Sequence, residues 1–155
     1  KSININRLIE QTLILNANLL KISGVKVETQ LEPDLPDMIG SEDQLQQVFM
    51  NLVSNAAEAM ETKGGGMLNI ETKYGLRDDR LAVDFKDSGI GIPEENISKL
   101  FEPFFTTKED GSGIGLNIAQ RIVADHNGSI SLGSSRWGGA EFKIELPIER
   151  RMDDR

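Results

Sequence analysis

Two asparagines one helical turn apart, Asn51 and Asn55, stand in the run Gln44–Met60 (QLQQVFMNLVSNAAEAM) beside an apolar stripe of Leu45, Val48, Phe49, Leu52, Val53, Ala56 and Met60. At about 100° per residue, Gln44, Gln47, Asn51, Asn55 and Glu58 fall on one narrow polar face that borders the stripe and does not oppose it. Amides placed so are half-buried and can face a ligand. Asn55 offers a neutral oxygen, and a hard cation such as Mg²⁺, carrying waters and substrate phosphates, needs only one or two protein oxygens. Taken alone, Asn55 is equally well explained as an amide that satisfies a loop backbone.

Two glycine segments shift that balance. In DSGIGIP (Asp87–Pro93), Asp87 ends an alternating strand of Leu81, Val83 and Phe85 and can accept a hydrogen bond from the amino group of a flat base. Gly89 and Gly91 let the backbone approach such a ligand closely. By itself, Asp87-Ser88-Gly89 reads as a turn. In GSGIGL (Gly111–Leu116), Gly111, Gly113 and Gly115 precede a helix, so their amides and the helix N-terminus can cradle a polyphosphate, with Lys108 upstream adding positive charge. A dinucleotide-binding reading fails, because FEPFFTTKED stands where a strand would have to be. Phe101, Phe104 and Phe105 read as apolar anchors for that loop, and the polar, glycine-punctuated Thr106–Ser112 segment as a mobile lid. The three segments together predict a nucleotide pocket.

The elements that must position these residues follow from periodicity. Ile5, Leu8, Ile9, Thr12, Leu13, Ala17 and Leu20 predict one amphipathic helix ended by Gly24, and Val25–Leu31 alternates as a strand. Glu32–Gly40, with two prolines, is an ordered loop. Ser41 then caps the long amide-bearing helix, with Gln44 placed to complete a capping box. Met67–Tyr74 and Arg80–Lys86 form a strand pair leading into Asp87, a short helix covers Glu94–Leu100, and a further helix starts at about Gly115. Ser129–Ser134 and Ala140–Leu146 close the chain as strands across a turn containing Gly138-Gly139. Residues 1–148 are read as one domain and Glu149–Arg155 as a charged, frayed tail. His126 reads as packing near a helix C-terminus and Trp137 as surface packing in a turn. The outcome is a two-layer α/β sandwich, a mixed sheet with helices on one face.

Bulk properties bound the function. With 155 residues and 38% hydrophobic content the chain can bury one good core. A net charge of −8, from 17 basic and 25 acidic residues, argues against nucleic acid as a partner. The absence of cysteine excludes thiolate chemistry and suits a reducing compartment, so a cytoplasmic location is expected. No apolar run approaches the roughly 20 residues of a spanning helix, so no membrane contact is expected of this chain, although a longer parent could be anchored. Beginning at Lys1, it reads as a piece of a longer protein and, in isolation, as a monomer.

The set N51-LVS-N55-AAEA, D87-SGIGIP, F101-EPFFTTK and G111-SGIGL, followed by GGAEFKIELP, resembles the ATP-binding catalytic domain of bacterial sensor histidine kinases, within the superfamily that also includes gyrase, MutL and Hsp90. FEPFFTTK followed closely by GSGIGL is most similar to the nitrogen-regulator and dicarboxylate-sensor branch. The resemblance implies the Bergerat fold, a mixed sheet of about five strands backed by helices, with ATP under a short lid. It implies that Asn55 holds Mg²⁺, that Asn51 and Glu58 support the phosphate and metal site, and that Asp87 binds the adenine amino group with Gly89 and Gly91 shaping the base pocket. Gly111, Gly113, Gly115 and Lys108 would hold the triphosphate, with Thr107, Ser112, Ile114 and Leu116 completing the contact set. Hydrolytic relatives carry a glutamate where this chain has Asn51, and an amide is a poor general base. Transfer of the γ-phosphoryl to a protein acceptor is therefore expected over attack by water. The family's acceptor histidine lies on a dimerisation hairpin, and His126 in HNGSIS does not match its motif. The hairpin, and a response regulator downstream, are the implied protein partners, with the outer face of the first helix around Leu13 either a dock or core. An anti-sigma-type serine kinase and a nucleotide-dependent interaction module without kinase activity are the alternatives.

Overall fold

The computed structural model describes residues 2–61, 63–75, 79–89, 114–134 and 138–148. In chain order the elements are β1 (Ser2–Ile3), α1 (Ile5–Leu15), α2 (Ala17–Ile22), β2 (Val25–Gln30), β3 (Met38–Ile39), α3 (Glu42–Glu61), β4 (Gly66–Gly75), β5 (Arg80–Asp87), α4 (Ile114–Asp125), β6 (Ser129–Ser134) and β7 (Ala140–Pro147). The helix expected over Glu94–Leu100, the lid, the phenylalanine anchors, Trp137 and the charged tail lie outside the described residues.

Asn4 caps α1 by accepting the Arg7 N–H at 3.1 Å, and Ile5, Leu8, Ile9 and Thr12 form its buried face. The single helix expected through Leu20 is divided at Asn16, whose φ of −101° and ψ of 9° leave the helical region. Both the backbone N–H and the side-chain Nδ2 of Asn16 donate to the Thr12 carbonyl. An amide that can bond back to the preceding turn competes with helix propagation. Gly24, at φ +73°, ends the second piece as anticipated. Leu13 packs against the core, whereas its neighbours Ile14 and Leu15 are exposed.

Five strands form one mixed sheet in the order β2-β4-β5-β7-β6, with β2 parallel to β4 and the other pairs antiparallel. Alternation sorts its two faces. Ile70, Phe85 and Phe142 stand in register across β4, β5 and β7, as do Val83 and Ile144, and all are buried beneath the helices. The ring of Phe49 on α3 meets that of Phe85 with centroids 5.8 Å apart, which ties the amide-bearing helix to the centre of the sheet. This is the expected architecture, a mixed five-stranded sheet with helices on one face. A two-stranded ladder was not anticipated: β1 pairs with β3 inside the Glu32–Gly40 stretch read as loop. Two residues per strand are too few to show a period.

The opposite sheet face carries Glu71, Asp84 and Lys143 in register, with Lys86 bridging to Glu71 at 3.4 Å. Asp84 is buried, and its Oδ1 has no protein hydrogen-bond partner among the described residues. Burial holds its carboxyl above the ordinary value of 3.8, Glu141 and Glu71 pushing the same way and Lys143 and Lys86 pulling back. The folded state therefore binds this proton more tightly than the unfolded chain does. That contribution is fully present below pH 3.8 and is lost as pH rises through the folded value. Asp84→Asn should flatten that decline, measured as urea-unfolding stability at a series of pH values. An unchanged pH profile would show that Asp84 titrates normally. Among the described residues no helix is long and apolar enough to cross a membrane.

Candidate functional site

Ser41 caps α3 through its Oγ, which accepts the Gln44 N–H at 3.3 Å. The reciprocal half of the expected capping box is replaced: the Ser41 N–H donates to His126 Nε2 at 3.0 Å. Along α3 the predicted polar edge is graded, with Asn51 and Asn55 half-buried and Gln44, Gln47 and Glu58 exposed. Asn51 and Glu58 are engaged with other groups. Among the described residues the Asn55 carboxamide makes no hydrogen bond.

Helices α3 and α4 pack against each other. Because the Ser41–His126 bond joins the start of α3 to the end of α4, the two run antiparallel. Gly115 precedes His126 by about 11 residues, roughly 16 Å at 1.5 Å per residue, so the start of α4 lies level with about Leu52. By that count the N-terminus of α4 comes level with Asn51 and Asn55. The amides of such an N-terminus favour negative charge. Leu116, in the first turn of α4, is partly buried and packs against the core.

Asp87 ends β5 with 3% of its surface exposed. Its Oδ1 accepts two backbone N–H groups, from Gly89 at 2.9 Å and from Ala140 at 3.1 Å. The turn role weighed against ligand binding is thus real, and it orients the carboxylate rigidly. Gly89 is a glycine for lack of room: a Cβ there would stand 2.9 Å from Ala59 Cβ of α3. Gly139 is constrained likewise, because a Cβ would overlap the backbone and carboxylate of Asp87. Lys63 Nζ donates to the Ser88 carbonyl at 3.2 Å and to that of Gly89 at 3.4 Å, closing the turn from the far end of α3. The sequence reading missed Gly139, Ala140 and Lys63. Gly138-Gly139 signalled a hairpin turn, and nothing local in the sequence connects that turn to Asp87.

The structure sets Asp87 and Gly89 against Ala59 of α3, one turn beyond Asn55, and the helical count from the Ser41–His126 bond puts the start of α4 near Leu52. Gly91, Thr107, Lys108, Gly111, Ser112 and Gly113 lie outside the described residues, as do the side-chain positions at Ile114 and Gly115.

Residues 40–150 match the family described as histidine kinase-, DNA gyrase B- and HSP90-like ATPases. The chain belongs to that family. Relatives within it include sensory and sensor histidine kinases. The sensory histidine kinase/phosphatase NtrB of Rhodobacter capsulatus is 41% identical over 128 residues, covering 76% of this chain and 35% of the relative. The catalytic domain of histidine kinase ThkA superposes with a TM-score of 0.83 at 30% identity, covering 96% of this chain and 95% of that one. Full-length ShkA in complex with AMPPNP superposes with a TM-score of 0.84 at 26% identity, covering 97% of this chain and 31% of that one. The chain spans between about a seventh and about a third of the length of curated relatives it matches.

Proposed function

We propose that this kinase-family domain binds Mg-ATP and transfers the γ-phosphoryl to a histidine carried on a dimerisation hairpin outside this chain, from which a response regulator receives it. The observation that carries the reading is the Ser41–His126 bond between the start of α3 and the end of α4, because an antiparallel count from it would bring an anion-favouring helix N-terminus level with two half-buried amides on the helix whose far end meets the buried Asp87 turn. Full-length ShkA, part of which shares this fold, is a complex with AMPPNP, which supports nucleotide binding as the reading.

The donor set suits Mg²⁺. Among the described residues no three His, Cys, Asp or Glu side chains gather as a protein cage. A cation here would rest on the Asn55 oxygen together with water and phosphates, the arrangement Mg²⁺ favours. When bound, it would neutralise charge on the transferring phosphoryl. Asn55 orients the phosphates through that oxygen, and Asn51 and Glu58 support them from the same helix edge. Asp87 accepts the base amino group, Gly89 and Gly91 shape the base pocket, and Gly111, Gly113, Gly115 and Lys108 hold the triphosphate. Thr107, Ser112, Ile114 and Leu116 would complete the contacts to the nucleotide. Because Asn51 cannot take a proton from water, the chain positions the phosphoryl and leaves the nucleophile to the partner.

Incubation with γ-labelled ATP should leave no acid-labile label on this chain and should hydrolyse ATP only very slowly. Adding a helical hairpin fragment bearing the acceptor histidine should place the label on that fragment. Rapid turnover by the chain alone would make it a hydrolytic ATPase, label on an added serine substrate would make it a serine kinase, and nucleotide binding with no transfer at all would leave an interaction module.

A further inference from the structure

We propose that His126 is a positioning residue for the phosphate end of the site: its neutral imidazole locks the end of α4 to the cap of α3 and so sets how far the phosphate-binding start of α4 reaches along Asn51 and Asn55. The inference rests on the nucleotide reading above and deepens it.

Two partners dictate the state of the ring. Nδ1 lies 2.8 Å from the Ile122 carbonyl, which can only accept, so Nδ1 carries the hydrogen. Nε2 then presents a lone pair, and the Ser41 N–H donates to it at 3.0 Å across 85 residues of sequence. The ring is held twice more through its own backbone, whose N–H donates to the Ile122 and Val123 carbonyls at the end of α4. A separate observation shows that the neighbouring segment is shaped for this ring. Gly40 has no positive φ, yet a Cβ at that position would stand 2.6 Å from His126 Nε2. Glycine is needed there for the imidazole to reach the helix cap.

The consequence for the site is mechanical. Helices α3 and α4 pack together over one shared apolar core, to which Ala119 and Val123 of α4 belong, and apolar contact is non-directional. The Ser41–His126 bond is directional, and it lies at the opposite end of the pair from the ligand. Loss of it permits axial slip of α4 relative to α3, and ångström-scale misplacement of positioning groups is costly. Asp87, held by Gly89 and Ala140, does not depend on that lock.

Calorimetry of a non-hydrolysable ATP analogue, with and without Mg²⁺, tests this on the chain as it stands. In His126→Ala the tightening produced by Mg²⁺ should shrink about tenfold, while Mg²⁺-free affinity, carried by the base pocket, stays within about twofold. His126→Gln should recover the Mg²⁺ tightening to within about threefold of the parent chain, since its carboxamide oxygen can accept the Ser41 N–H in place of Nε2. Gly40→Ala should reproduce the alanine loss by pushing the ring away. Full Mg²⁺ tightening in His126→Ala, a parallel fall of both affinities, or a glutamine variant no better than alanine would each overturn the assignment. If His126→Ala does not fold, Gly40→Ala and His126→Gln decide by the same ratio. If the parent chain itself shows no Mg²⁺ tightening, the nucleotide reading falls and this one with it.

Discussion

Asn55→Ala is expected to abolish the Mg²⁺-dependent part of nucleotide affinity while leaving the domain folded. The side chain is half-buried on α3 and makes no hydrogen bond among the described residues, so truncation strands no protein donor or acceptor there. Alanine is also the better helix former, by a few tenths of a kcal/mol. Stability should therefore hold or rise slightly, measured by thermal or urea unfolding. The cation, in contrast, loses the one protein oxygen this site offers it by the present reading. Calorimetry should then find ATP-analogue affinity no greater with Mg²⁺ than without. An unchanged Mg-ATP affinity would remove Asn55 from the metal site, and a loss of about 1–3 kcal/mol of folding stability would show a structural hydrogen bond in its place.

Asp87 separates fold from specificity in a way that only the structure reveals. Two backbone N–H groups converge on Oδ1, so Asp87→Ala leaves both buried without that acceptor, at about 1–3 kcal/mol each. Loss of ATP binding in that variant would be uninformative, because the pocket wall itself comes apart. Asp87→Asn is the discriminating change. Its carbonyl oxygen can keep both backbone donors, so melting should stay near that of the parent chain. Its amino group now faces the base where the carboxylate did. Adenine presents an amino group at that edge, and two facing donors in a desolvated pocket repel. Guanine presents a carbonyl oxygen, which the new amino group can serve. The parent chain should prefer ATP to GTP, and Asp87→Asn should lose affinity for ATP by tenfold or more and reverse the preference, at about 1–3 kcal/mol per unpaired group. Comparable affinity for ATP and GTP in the parent chain would take Asp87 out of base recognition and leave it the turn and wall role already visible.

The elements of this domain were legible in the sequence because each rests on a local period. Leu45, Val48, Phe49, Leu52 and Val53 announce α3, all of them buried, and Leu81, Val83 and Phe85 announce β5, with Asp87 on the same buried face. The half-buried setting of Asn51 and Asn55 followed from angle alone, since a residue bordering an apolar stripe is partly covered by whatever covers the stripe. The glycine segments and their order carried the family. Tertiary structure decided everything that depends on two distant segments meeting. Ala140 reaches Asp87 across 53 residues, and Ser41 reaches His126 across 85. Gly40 and Gly139 are glycines because another segment fills the space a side chain would take, a constraint with no trace in their own neighbourhoods. Asn16, inside an unbroken apolar period, divides a helix because its amide bonds back to Thr12. Periodicity reports which side of an element is covered, through the hydrophobic effect, which has no direction. Hydrogen bonds and excluded volume have direction and range of a few ångströms, so the register of α4 on α3 and the wall behind Asp87 exist only once the chain has closed on itself.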